Sequence, residues 1–196
     1  MATFQIAYNI TKKMEGGYAN NPNDKGGETY RGISRKFHSS WAGWQWLDKQ
    51  IQPIQYNKIF PRLEPVVMAF YKKEFWDKIK LNFMPQSVAN QMFDWAVHSG
   101  RGTAARNLQS VLNKLGAKLK IDGIIGNKTL AAIETFSDAK IAEAVLNQRA
   151  VYIGIKSKEQ PYWANVWQNR IKHLRSVLPS VVGFGGVLGL GLALFF

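Results

Sequence analysis

Met14-Glu15-Gly16-Gly17-Tyr18, then Asp24-Lys25-Gly26-Gly27-Glu28-Thr29-Tyr30-Arg31-Gly32-Ile33, is the stretch from which the rest of the chain is read. Phe4, Ala7, Ile10 and Met14 recur at helical spacing, so residues 4–14 are expected to form a short amphipathic helix that ends at Glu15. The turn-rich residues 16–32 predict a loop or small hairpin. A carboxyl at the end of a helix lies beside negative backbone charge, and a partly apolar cleft disfavours its ionised form. Both suit an acid that must keep a proton near neutral pH. Cleavage of a glycosidic bond needs such an acid, plus a second polar group that places water or stabilises the cation-like transition state. Glycines around such a site let the backbone approach a sugar closely.

Outward from this stretch the pattern stays helical. Trp41, Trp44 and Trp46 suggest a short helix, and Pro65 suits the first turn of another that runs through Asp77. Helices are expected over 87–98, 103–115, 127–136, 137–155 and 161–177, with Gly100 and Gly116 as stops. Period-2 alternation is scarce, so the fold class is mainly α with a small hairpin near 16–32. Trp41, Trp44, Trp46, Trp76 and Trp95 are read as core. Asp94 and His98, four apart on one helix, are expected to form a buried hydrogen-bonded pair. Asp122-Gly-x-x-Gly-x-x-Thr129 is read as a turn and helix cap, with Asn127 capping.

The chain has 196 residues, 46% of them hydrophobic, and no cysteine, which excludes disulfides and thiolate metal sites. His38, His98 and His173 show no metal-ligand spacing, and no metal or cofactor is expected. The net charge is +13, with no charged residue after Arg175. Such a basic domain anticipates a polyanionic partner; nucleic acid is disfavoured for want of a recognised motif. The N-terminal residues have no basic region ahead of an apolar run, so no secretory signal is expected. Residues 180–196 are uncharged and would span roughly 25 Å as a helix, near the lower limit for a membrane. We therefore expect a C-terminal transmembrane helix over 177–196. Gly185 and Gly189 on it would offer a helix–helix contact for a homo-oligomer or for virion proteins. Arg170, Lys172 and Arg175 would face an anionic membrane surface.

The Glu15-Gly-Gly-Tyr and Asp24-x-Gly-Gly-Glu-Thr-x-x-Gly-Ile motifs resemble glycoside hydrolase family 108, the lysozyme-like N-acetylmuramidases of bacteria and phages. The resemblance continues through Phe75-Trp76-Asp77 and residues 93–100, where the family more often has Asn at the position of His98. Residues 121–130 resemble the peptidoglycan-binding region that follows the catalytic part in that family. The resemblance implies a lysozyme-like region over 1–100, a peptidoglycan-binding-like region over 101–176 packed on it, and the apolar tail 177–196 outside the family pattern. It implies a peptidoglycan hydrolase that cuts the β-1,4 bond between N-acetylmuramic acid and N-acetylglucosamine. Glu15 is then the general acid. Asp24 is the candidate second carboxylate, and Thr29 is the alternative that holds water. Tyr18, Glu28 and Tyr30 are candidates to contact the saccharide. Without a signal, an anchored domain would face the cytoplasm, away from peptidoglycan. Carriage in the internal membrane of a phage virion, for host entry or lysis, reconciles the two. The alternative is a non-catalytic wall-binding or membrane-associated assembly protein on the same fold.

Overall fold

The computed structural model describes residues 1–21 and 26–178. The chain begins with α1 (Phe4–Thr11), which runs into a tight turn at Lys12–Met14. A three-stranded antiparallel sheet follows: β1 (Tyr18–Asn20), β2 (Glu28–Tyr30) and β3 (Ile33–Ser34), in that spatial order. Then come α2 (Ala42–Leu47), α3 (Glu64–Tyr71), α4 (Gln86–Ser99), α5 (Arg101–Lys114), α6 (Asn127–Glu134), α7 (Asp138–Glu159) and α8 (Ala164–Ser176). The mainly helical architecture with a small sheet agrees with the pattern of the sequence. The helix expected through Asp77 is shorter: α3 widens into a π-helical turn at Lys72–Trp76, and Lys80 takes a left-handed conformation.

Helix α4 organises the molecule. Its residues Val88 to Ala96 are all buried, the signature of a helix surrounded on every side. It packs against α1, α5 and α7, and α7 packs against α8. One core cluster runs from Ala7 in α1 through Trp76, Phe93 and Trp95 to Ile141 and Val145 in α7. The first hundred residues and the remainder therefore share a core, with a smaller cluster of Leu146, Ile153, Ile171 and Leu174 between α7 and α8. Trp41, Trp44, Trp76 and Trp95 are buried, as core residues should be, and Trp46 is partly buried against the same core. Gln109 closes the 122–129 loop: it donates to Asp122 Oδ1 and accepts from Gly123 N–H, whose φ of 81° suits glycine. Asn127 is the first residue of α6 and makes no side-chain cap.

The expectation of a transmembrane helix over 177–196 is overturned. Among the described residues, no helix is long and apolar enough to cross a membrane. Helix α8 stops at Ser176, and Leu178 packs against the core. The start assigned to the anchor is thus part of the folded domain, where Leu178 is partly buried by protein. The single-pass, membrane-anchored localisation falls with it. Residues 179–196, with Gly185 and Gly189, lie outside the described residues.

Candidate active site

The tight turn after α1 delivers Glu15 into extended backbone (φ −99°, ψ 126°). Gly16 and Gly17 then lead into β1. Segment 57–58 pins this junction from outside: Gly17 N–H donates to Asn57 Oδ1 at 2.7 Å, and Tyr18 N–H donates to the Lys58 carbonyl at 2.9 Å. A methyl group at Gly17 would overlap the Asn57 carbonyl, so only glycine permits this approach. From the inside, the two-residue turn between β2 and β3 closes over Glu15. Arg31 (φ 51°) and Gly32 (φ 77°) are both left-handed, as in a type I′ hairpin. A Cβ on Gly32 would lie 2.6 Å from Glu15 Oε2. Arg31 Nη1 donates to the Glu15 carbonyl at 3.0 Å, and Tyr71 donates its hydroxyl to the Arg31 carbonyl at 2.6 Å.

The side chain of Glu15 is only 16% exposed. Its Oε1 accepts from Arg170 Nη2 at 2.9 Å. The Arg170 fork also grips Asp94, Nε to Oδ1 at 2.7 Å and Nη2 to Oδ2 at 3.0 Å. Arg149 Nη1 meets Asp94 Oδ1 at 2.7 Å, with both side chains fully buried. Burial alone would raise the Asp94 carboxyl, but the charges of Arg170 and Arg149 outweigh it and hold Asp94 well below the usual carboxylate range. These contacts correct two expectations. Asp94 is paired with two arginines, while His98 Nδ1 bonds to Ser99 Oγ at 2.8 Å. Burial, followed by the nearby Arg170 and Arg149, pushes His98 down to about 3, so it is neutral at pH 7. Arg170 is no membrane contact: it is buried, whereas Lys172 and Arg175 are exposed.

The register of the sheet separates the remaining candidates. Tyr18 pairs with Tyr30 and Ala19 with Thr29, so Tyr18, Glu28 and Tyr30 share one face and Thr29 lies on the other. Glu28 accepts the Tyr18 hydroxyl at 2.9 Å and is ion-paired with Arg35, which also binds Asp48. Tyr30 is 1% exposed; its hydroxyl bonds to the Phe60 backbone and its ring stacks near Trp41. That leaves Tyr30 no free face for a sugar. Asp24 lies outside the described residues.

Beside β1 opens a groove of about 440 Å³, lined by Tyr18, Asn20, Gln52, Pro53 and the exposed Tyr56 among others. The exposed Tyr56 ring with neighbouring amides suits a saccharide, whereas Tyr18 is 6% exposed with its hydroxyl engaged by Glu28. Tyr56, Asn57, Arg149 and Arg170 were not singled out as site residues from sequence. Only the arginines carried a signal, since each interrupts an otherwise apolar helix stripe. Among the described residues, no group of three or more His, Asp or Glu is placed to hold a metal ion.

Residues 8–100 match the Glycosyl hydrolase 108 family, and residues 103–173 match the Predicted Peptidoglycan domain. Among solved structures, the chain is similar to Brucella abortus SagA, with 26% sequence identity and a TM-score of 0.66. That likeness covers 88% of this chain and 91% of SagA. No curated protein matches the sequence.

Proposed function

Because the chain belongs to glycosyl hydrolase family 108, and is a glycoside hydrolase that acts on peptidoglycan, we propose that it is an N-acetylmuramidase with Glu15 as general acid. The observation that carries this reading is the setting of Glu15 compared with its neighbours. Glu28 is locked to Arg35, Glu64 is held by Tyr8, Lys12 and Arg31, and Glu15 is paired with Arg170 through Oε1. Glu15 sits where helix, glycine turn and strand meet, with Oε2 against a bare Gly32. In its protonated form it gives its proton to the glycosidic oxygen as the C1–O bond breaks. The electron pair of that bond stays on the leaving oxygen, and water adds to C1 as its proton passes to Asp24 or to the Glu15 carboxylate.

Asp24 or Thr29 would orient the water. Thr29 lies one residue from Glu28 but on the opposite face of β2, clear of the Glu28–Arg35 pair. The glycan would lie along the groove at Tyr18 and Tyr56, which begins three residues after Glu15, a chain span of at most about 11 Å. Two measurements test this reading. Digestion of purified peptidoglycan, reduction and mass spectrometry should place N-acetylmuramic acid at the new reducing ends; N-acetylglucosamine there would refute the muramidase assignment. Tyr56→Ala should raise KM about 5–10-fold with kcat little changed, the worth of about one aromatic contact.

A further inference from the structure

Glu15 and Asp94 lie in the segment that matches the hydrolase family, and Arg149 and Arg170 in the segment that matches the peptidoglycan domain. The four form one continuous chain of charge, Arg149–Asp94–Arg170–Glu15, with every link between 2.7 and 3.0 Å. We propose that Arg170 is a positioning residue for the reaction, so that the second segment completes the active site as well as meeting the wall. This inference rests on Glu15 being the acid.

The argument is geometric. Arg170 Nη2 points an N–H at Glu15 Oε1. A proton on that same oxygen would oppose the N–H donor, so the acid's proton resides on Oε2, the oxygen beside Gly32. Arg170 therefore selects which oxygen carries the proton and where it is aimed. Once the proton has passed to the leaving oxygen, the same N–H stabilises the carboxylate that remains. Asp94 holds the Arg170 fork through two of its N–H groups, and Arg149 holds Asp94, so the guanidinium has one orientation. The other charged or titratable groups near Glu15 are Arg31 and Lys12, which line the same crevice, Tyr71, whose hydroxyl is engaged by the Arg31 carbonyl, Tyr8, whose hydroxyl donates to Glu64, and Glu64 itself, which is paired with Lys12. Arg170 is the one of these whose donated hydrogen bond ends on the Glu15 carboxyl.

Lysine keeps the charge but not the fork that spans two carboxylates. In the full chain, Arg170→Lys and Arg170→Ala should both fold, because Arg149 still pairs Asp94; thermal unfolding and near-UV circular dichroism check this. Against purified peptidoglycan, kcat should fall about 10-fold for Lys and about 100-fold for Ala, the scale of a misplaced catalytic group, with KM within about 2-fold. Millimolar guanidinium should restore part of the kcat of Arg170→Ala. Folded variants with wild-type kcat would overturn the inference, as would a kcat loss that only follows loss of fold and shows no rescue. Wild type and Glu15→Gln run in the same assay separate the two readings. An active Glu15→Gln overturns the acid assignment and this inference with it. An inactive Glu15→Gln beside an unimpaired Arg170→Lys overturns this inference alone.

Discussion

Among the described residues, two arginines each bridge two carboxylates. Arg170 joins Asp94 to Glu15 in the interior, and Arg35 joins Glu28 to Asp48 on the sheet. The fork chemistry is the same and the surroundings are not. Arg170 and Asp94 are 8% and 0% exposed, whereas Arg35 and Asp48 are 31% and 56% exposed. Water can replace a lost partner around Arg35 and cannot around Asp94. The inner bridge therefore constrains the fold and the Glu15 side chain, and the outer one does little more than trim the surface.

Asp94→Ala is the most severe way to break this comparison. It leaves Arg149 and Arg170 buried without their shared partner and should cost about 3–5 kcal/mol, read from denaturant unfolding. The next test is acid. Asp94 is held low in the folded state, so its contribution is present above the unfolded carboxylate range near pH 4 and is lost as pH falls through its folded value. His98 is pushed down to about 3, so the unfolded chain takes up its proton first and stability falls between about pH 6.5 and 3. His98→Asn should flatten the latter loss by about 1–2 kcal/mol, seen in melting temperature against pH. An unchanged slope would mean that His98 is charged in the fold. Arg35→Ala should cost about 0–1 kcal/mol. The smallest effect is that of salt: raising NaCl to about 1 M should erase the Arg35→Ala difference while leaving that of Asp94→Ala intact. Equal costs for the two alanine variants would collapse the distinction between the bridges.

Much of the fold was legible because helical spacing and glycine stops report local structure. The Glu15 motif was legible because glycines and a helix end are also local. The charge chain was less so, since its links span up to 155 positions and sequence shows no distance. A trace of it exists: Arg149 stands in line with Val145 and Ile153 in α7, and Arg170 with Ile171 and Leu174 in α8. Asp94 is one of nine buried residues of α4. Charges placed in apolar stripes must find each other, because burial of an unpaired charge is too costly. The apolar tail misled for the opposite reason. Hydropathy registers apolar character without saying whether lipid or protein covers it, and Leu178 packs, partly buried, against protein.

The most direct test of the central claim is the turnover of Glu15→Gln on purified peptidoglycan beside wild type. Glutamine keeps an acceptor for Arg170 but has no proton to give. The account predicts a fall in kcat of about 100–10,000-fold at unchanged melting temperature. A folded Glu15→Gln within about 10-fold of wild type would contradict it.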